Sequence, residues 1–362
     1  MVFDVIKPGL LSTLQDEGRF GHRKHGVIVS GPMDAFAHRT ANVLVGNPTG
    51  AATLEMTWNG PLLIARSDML LAICGGDLDA RVDGEPVQLW RPLVIRAGST
   101  LELKRAVQGC RAYLAVGGGF RADEALGSRS TFLRAGIGGL AGRGLQAGDR
   151  LVVHEPTWEP EAMQRYVRQT RAVSTRCRPP YADEPTLRIV RGREQRLFRE
   201  ASWAQLLEQA YAVTPQSDRM GFRLEGEAAL ERVDGVQTEQ ISEAVAAGTL
   251  QVPPSGQPLL LLADCQTTGG YPRIGHVITA DLPLAAQVRP GGKRASQKLR
   301  CRRRRKRCWC SSLSCGTWPR ASARGGRTRG CRCRAGVSTR QKVSLSNRPI
   351  RSRVNKHMRW AY

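Results

Sequence analysis

The chain offers apolar runs that are too short to be helices. In the first 293 residues short apolar or alternating runs fall at 62–64, 69–74, 80–82, 93–95, 101–103, 112–116 and 151–153, separated by Gly, Pro and Asp. Runs of three to six apolar residues between turn formers read as strands, because an amphipathic helix needs a longer stretch with a 3.6-residue period. Asp83-Gly84 joins two of the runs and is a hairpin signal. Helical patterning is confined to two places. One spans 35–45, entered through Met33-Asp34 and stopped by Gly46-Asn47-Pro48; the other spans 200–210, with Ser202 in position to cap it. Many short strands and few helices predict a mainly β chain built of barrels or sandwiches, not a βαβ sheet.

Charge divides the chain at residue 293. The formal net charge is +24, but 22 of the 55 Lys and Arg lie in 294–362, where there is no Asp or Glu. The preceding body therefore carries 33 basic against 31 acidic residues, too balanced to steer a polyanion. Its four cysteines, Cys74, Cys110, Cys177 and Cys265, stand singly and suit a reducing compartment rather than a disulfide framework. The N-terminus has acids at Asp4, Asp16 and Glu17, unlike a secretory signal, and no apolar stretch is long enough to span a bilayer. These features predict a soluble cytoplasmic protein with no membrane partner.

A proline-rich polar segment at 156–186 reads as a linker between domains at 1–155 and 187–293. The two sides are weakly alike. Each has an apolar strand, 113–116 or 259–262, that leads to a polar cluster, 126–131 or 264–270, and then to a Gly turn. A strand follows the first turn. After the second turn the basic tail begins, so the second domain reads as truncated by one strand. The tail at 294–362 lacks apolar periodicity and is predicted to be disordered, since it cannot bury enough apolar surface to offset chain entropy. Its six cysteines lack C-x2-C pairs, which argues against zinc. Its Arg, Cys, Ser, Gly and Trp content is what GC-rich coding sequence yields out of frame, so the tail reads as a frameshift product and not as a specific nucleic-acid site.

Several signatures are missing: there is no phosphate-binding G-x-x-x-x-G-K-[ST], no G-x-G-x-x-G and no G-x-S-x-G. His22-x-x-His25 has no acidic ligand beside it, and no metal site is predicted. Four polar clusters remain. They are 13–21, with Gln15, Asp16 and Arg19; 30–34, Ser-Gly-Pro-Met-Asp; 217–224, with Asp218 and Arg219; and 264–272, with Asp264, Gln266, Thr267, Thr268 and Gly269. Each is also an ordinary turn composition. The fourth is the most informative, because three hydrogen-bonding side chains precede Gly269-Gly270, where backbone N–H groups can approach a carboxylate or amide. Asp16, Asp34, Asp218 and Asp264 are the candidate proton carriers, and Arg19, Arg129 and Arg219 the candidate carboxylate holders.

Taken in order, these clusters resemble one family. The opening PGLLSTLQDEGRFGHRKHGVIVSGPMDAFAHRTANVLVGNPTGAATLEMTWNGP, and the later YLAVGGGF, LGSRSTFLRAGIGGLAGRGLQAGD, SDRMGFRLEG and DCQTTGGYPRIGHVITADLPLAAQVRPG, are similar to the biotin-dependent carboxyltransferase-like subunits. That family includes the 5-oxoprolinase C subunit, the KipI antagonist KipA and allophanate hydrolase subunit 2. The resemblance runs from about residue 2 to 292, departing mildly at Cys265 and Gly275 and fully after Gly292. It implies two tandem cyclophilin-like β-barrels. It also implies assembly with a KipI-like partner (the B subunit) and a LamB/YcsF-type partner (the A subunit), to open 5-oxo-L-proline to L-glutamate with ATP handled at the level of the complex. The alternatives it implies are the carboxyltransferase half of a biotin-dependent urea or amide carboxylase, and a regulatory binder of a KipI-like protein. Under the leading reading Gln266, Thr267, Thr268 and Gly269 orient a small amide, Asp264 or Asp218 moves protons, and Arg219 binds the carboxylate. Gln15, Asp16 and Arg19 complete the substrate site.

Overall fold

The computed structural model describes residues 1–154, 160–170, 172–234, 240–291 and 298–303. Its first half is two antiparallel sheets. One takes β1 (Val2–Lys7), β4 (Leu62–Ala65), β6 (Ala80–Val82), β7 (Glu85–Pro86), β9 (Thr100–Leu103) and β11 (Arg150–Val152), in the order β11-β1-β4-β9-β6-β7. The other takes β2 (Leu11–Gln15), β3 (Thr53–Thr57), β5 (Met69–Asp77), β8 (Pro92–Ile95) and β10 (Gln108–Val116), in the order β2-β3-β10-β5-β8. Phe3, Leu14, Leu54, Leu63, Ile73, Leu101 and Leu114 form one core from both sheets. Strands β5 and β10 are buried on both faces. Leu71, Ile73 and Leu114 enter this core, while Leu70, Ala72, Tyr113 and Ala115 pack with helix α1 (Ala35–Leu44). That double burial explains why 69–74 and 112–116 read as continuous apolar runs.

Helix α1 begins where its cap was read. Asp34 accepts a hydrogen bond from the Ala37 N–H at 2.9 Å. The segment read as a linker contains a helix, α2 (Pro160–Gln169), whose Met163 packs into the α1 cluster with Trp90. The proline content of the segment masked this ten-residue amphipathic stretch. Helix α3 (Glu200–Glu208) is capped at Arg199, not Ser202; the Ser202 hydroxyl instead donates to the Glu231 carbonyl at 3.0 Å.

The second half closes into a barrel. Its strands are β12 (Thr186–Arg191), β13 (Ala210–Val213), β14 (Gly221–Glu225), β16 (Thr249–Gln251), β17 (Leu259–Leu261), β19 (Arg273–Val277) and β20 (Lys298–Arg303), in the order β12-β19-β16-β17-β14-β13-β20. Outside it, β15 (Glu243–Ala244) pairs with β18 (Thr268–Gly269), and α4 (Leu282–Ala286) follows β19. Seven strands cannot alternate direction all the way round a closed ring. The one parallel pair is β12 with β20, and the other six are antiparallel.

Strand β20 overturns two expectations. Residues 298–303 of the predicted disordered tail form a strand, and the barrel does not lack its closing strand. Lys298–Arg303 fills that place, between β12 and β13. The physical reason is local alternation: Cys301 is buried in the barrel core while Arg300 and Arg302 are exposed. Short as it is, K-L-R-C-R-R suits a half-buried strand, and two unpaired edges recruit it. The rest of the predicted disordered segment, 304–362, lies outside the described residues.

Candidate functional site

The first-half loop before α1 reaches into the second half, where Met33 joins the barrel core. Polar side chains from both halves are buried around that insertion. The loop between β13 and β14 lies alongside the segment after β17, tied by Asp264 N–H to Arg219 O at 2.9 Å and Leu262 N–H to Met220 O at 2.9 Å. This rung places the Arg219 and Asp264 side chains together. Arg219 Nε donates to Asp264 Oδ2 at 2.8 Å and Nη2 to Oδ1 at 3.0 Å, a bidentate pair. Arg219 Nη1 also binds Glu55 Oε1 across the two halves, and Nη2 donates to Gly31 O at 2.6 Å.

Glu55 comes from the middle of β3, opposite Tyr113 on β10. Its Oε2 accepts from the Tyr113 hydroxyl at 2.7 Å and from Met33 N–H at 2.9 Å. The side chains of Arg219, Glu55 and Asp264 are 6%, 1% and 7% exposed. Burial alone would weaken the guanidinium's hold on its proton, but Asp264 and Glu55 outweigh it and raise its pKa. Leaving one member of such a triad without its partner costs about 3–5 kcal/mol, so the three are fixed as a unit.

A second cluster adjoins the first through Ser30, whose hydroxyl donates to Asp264 Oδ1 at 2.7 Å and lies 3.2 Å from Thr131 O. Asp16 Oδ1 accepts from the Ser128 and Ser130 hydroxyls, both at 2.6 Å, and Oδ2 from Arg129 N–H at 2.6 Å. Burial pushes the Asp16 pKa upward, and these bonds together with one from Gly18 N–H more than reverse it, leaving the carboxyl below its usual range. Arg19 is fully buried, with Nε donating to Ala125 O at 3.2 Å and Nη2 to Ser130 O. Gly138 lets the loop press on this guanidinium. A Cβ there would sit 2.7 Å from Arg19 Nη2.

Gln15 Nε2 donates to Thr13 Oγ1 at 3.0 Å and Thr131 O at 3.2 Å. His38 Nδ1 lies 2.8 Å from Thr53 Oγ1. Gln15 Oε1, Arg19 Nη1, His38 Nε2 and Thr40 Oγ1 are buried with no hydrogen-bond partner among the described residues. Buried polar atoms are normally paired, and two of these, Gln15 Oε1 and Arg19 Nη1, belong to the same loop as Asp16.

The structure brings Gln15, Asp16, Arg19, Arg219 and Asp264 into this buried region. It places the other predicted residues elsewhere. Asp218 is exposed, and its carboxylate accepts from Met220 and Gly221 N–H at 2.8 and 3.3 Å, capping its own turn. Thr268 and Gly269 form β18, with Thr268 exposed, and Gly269 packs on the Gln251 side chain. Thr267 contributes its carbonyl to Arg23 Nη2 at 3.3 Å, and Gln266 is half-buried. Arg129 pairs with Glu124 at the surface, at 2.8 Å.

Arg219 differs in role from a carboxylate holder. Four of its five N–H donors are used within the protein, whereas Arg19 Nη1 has no partner among the described residues. Sequence reasoning missed Glu55, Tyr113 and His38. The signal for Glu55 was present: it is the lone acid in T-L-E-M-T, on the opposite face from Leu54 and Met56.

Asp34 belongs to the same buried region. Its Oδ2 accepts from Tyr181 at 2.5 Å and Gln287 Nε2 at 2.9 Å. Burial raises its pKa, against the hydrogen bonds from Tyr181, Ala37 and Gln287. Gln287 also receives Cys110 and Arg111 N–H, each at 2.9 Å, so α4 is joined to β10.

Known proteins share this architecture. The carboxyltransferase domain, subdomain A and B, matches residues 25–295. The 5-oxoprolinase C subunit of Haemophilus influenzae is 38% identical over 290 residues, covering 80% of this chain and 89% of that protein. The solved structure of TTHA0988 superposes with a TM-score of 0.70 at 35% identity, over 83% of this chain and 55% of that one. K. lactis urea amidolyase superposes with a TM-score of 0.75 at 27% identity, but this chain spans only 18% of its length.

Proposed function

The chain belongs to the carboxyltransferase domain family, subdomain A and B, and from that membership we propose that it serves as the C subunit of an ATP-dependent 5-oxoprolinase. The observation that carries this reading is the match over nearly the whole length of the 5-oxoprolinase C subunit. The likeness to urea amidolyase is confined to a fraction of that chain, and carboxyl transfer to urea or a related amide is the second reading. Both substrates present a planar amide, and the buried site suits one. Asp264 Oδ2 accepts only from Arg219 Nε among the described residues, which leaves a lone pair for an amide N–H. Arg19 Nη1 and Gln15 Oε1 offer one donor and one acceptor nearby in the fold. In this scheme Arg19 holds the substrate carboxylate and Asp264 accepts the proton of the reacting amide or water.

The same residues do not suit a triphosphate. Asp16, Asp34, Glu55 and Asp264 crowd the region, and Arg219 is committed to two of them. We assign ATP, and biotin under the second reading, to no residue of this chain; phosphoryl activation of the lactam oxygen falls to a partner. The partners in this proposal are the KipI-like and LamB/YcsF-type subunits, in the cytoplasm. The five cysteines among the described residues are free, and no helix among those residues is long and apolar enough to cross a membrane. The separate cores of the two halves support an origin as tandem cyclophilin-like barrels.

The test is co-expression with the KipI-like and LamB/YcsF-type partners, followed by an assay of glutamate release from 5-oxoproline with ATP and, with a biotin carboxylase, its biotinylated carrier, bicarbonate and ATP added, an assay of urea carboxylation. Glutamate release by the complex and none by the isolated chain is expected. Release by the chain alone contradicts a shared site, and urea carboxylation without glutamate release replaces the first reading with the second.

A further inference from the structure

Ser30 has a backbone conformation that serine seldom adopts. Its φ is +60°, in the left-handed region, and the following Gly31 has φ +90°. The turn is held in place from three sides. Val29 O accepts from Arg19 N–H at 2.7 Å, and Gly31 O accepts from Arg219 Nη2 at 2.6 Å. A Cβ on Gly31 would lie 2.9 Å from Glu17 O, so the neighbouring loop packs directly against it. Glycine would occupy position 30 without strain, yet the position carries a hydroxyl, 6% exposed and aimed at Asp264. A strained residue fixed by its surroundings is a pointer to function.

We propose that Ser30 is a positioning residue that sets the orientation of the Asp264 carboxylate; the proposal rests on the functional reading above. Asp264 Oδ1 accepts from both Ser30 Oγ and Arg219 Nη2, whereas Oδ2 accepts from Arg219 Nε. Arg219 binds both oxygens of the carboxylate from one edge, and Ser30 adds a second donor to Oδ1 alone. The serine donor comes from the other half of the chain and loads Oδ1. It thereby presents the remaining Oδ2 lone pair to the amide. Ser30 moves no proton itself. Its contribution is geometric, and small displacements of a reacting group have large effects on rate.

The experiment compares Ser30→Ala and Ser30→Gly with wild type in the full complex, measuring kcat and KM for 5-oxoproline with ATP and the melting temperature of each variant. Both substitutions remove the hydroxyl, but only glycine relieves the positive φ. The expected result is that both lower kcat by about tenfold or more, with KM changed by less than about threefold, while Ser30→Gly melts above Ser30→Ala. Equal loss of kcat in two variants of unequal stability separates positioning from packing. Either variant retaining kcat within about threefold of wild type, or kcat falling in step with melting temperature, overturns the proposal. If the wild-type complex acts on urea instead, the same comparison there decides it in the same way. A wild-type complex inactive on both substrates overturns the functional reading, and the proposal with it, and is told apart because wild type itself fails.

Discussion

At the scale of residues, the site is a set of buried groups whose charge depends on burial and on the polar groups packed beside them. His38 gives the clearest consequence. Burial drives its pKa from 6.5 down to about 4. Between these values the unfolded chain binds a proton that the folded chain does not. The contribution of His38 to stability is therefore intact above about pH 6.5 and declines by about 3 kcal/mol as the pH falls to 4. Asp34 acts in the opposite sense. Its raised value means its contribution is present below 3.8 and is lost as pH rises through the folded value. A His38→Gln variant should flatten the fall in stability between pH 6.5 and 4, as read from urea unfolding at several pH values; an unchanged slope would refute the assignment. Residue identity at the site was only partly legible. Asp16, Arg19, Arg219 and Asp264 stood out because charged residues next to turn glycines are conspicuous. Glu55 and His38 did not, since each sits inside a strand or helix whose pattern reads as core. Asp218 stood out for a local reason: its carboxylate caps a turn.

At the scale of elements, the strands of the body were legible because turns interrupt them at close intervals, and α1 because Asp34 caps it. Helix α2 was hidden by its proline-rich surroundings, and β20 by the basic composition around it. Strand β20 shows how little side-chain information a barrel needs at one strand when both flanking edges are already in place. Ladder bonds to β12 and β13 are supplied by the backbone, and Cys301 supplies the inward contact. Ending the chain at residue 297 should then open the barrel and lower the melting temperature by about 10 °C or more, or cause aggregation through the exposed edges. Ending it at residue 309 should leave the melting temperature unchanged. Equal melting of the two truncations would show that β20 contributes nothing. The origin of the tail is tested separately, at the gene. If a neighbouring reading frame beyond codon 293 encodes an alternating apolar strand, the basic segment is a replacement for that strand; if none does, the frameshift reading fails.

At the scale of the whole molecule, a nearly neutral body is joined to a strongly basic tail, and the net charge of +24 describes neither. The candidate site belongs to neither half alone. Ser30 and Glu55 come from one, Arg219 and Asp264 from the other, and Met33 inserts between them. Sequence alone placed the polar clusters in order along the chain. It could not place them in space, because their meeting depends on how the loop before α1 enters the barrel core. The most direct test of the account is the rate of glutamate release from 5-oxoproline and ATP by the assembled complex, comparing wild type with Asp264→Asn. The predicted result is release by wild type and a loss of about 100-fold or more in the variant, each rate being taken per assembled complex. A variant as fast as wild type would contradict the placement of the reaction at this buried site.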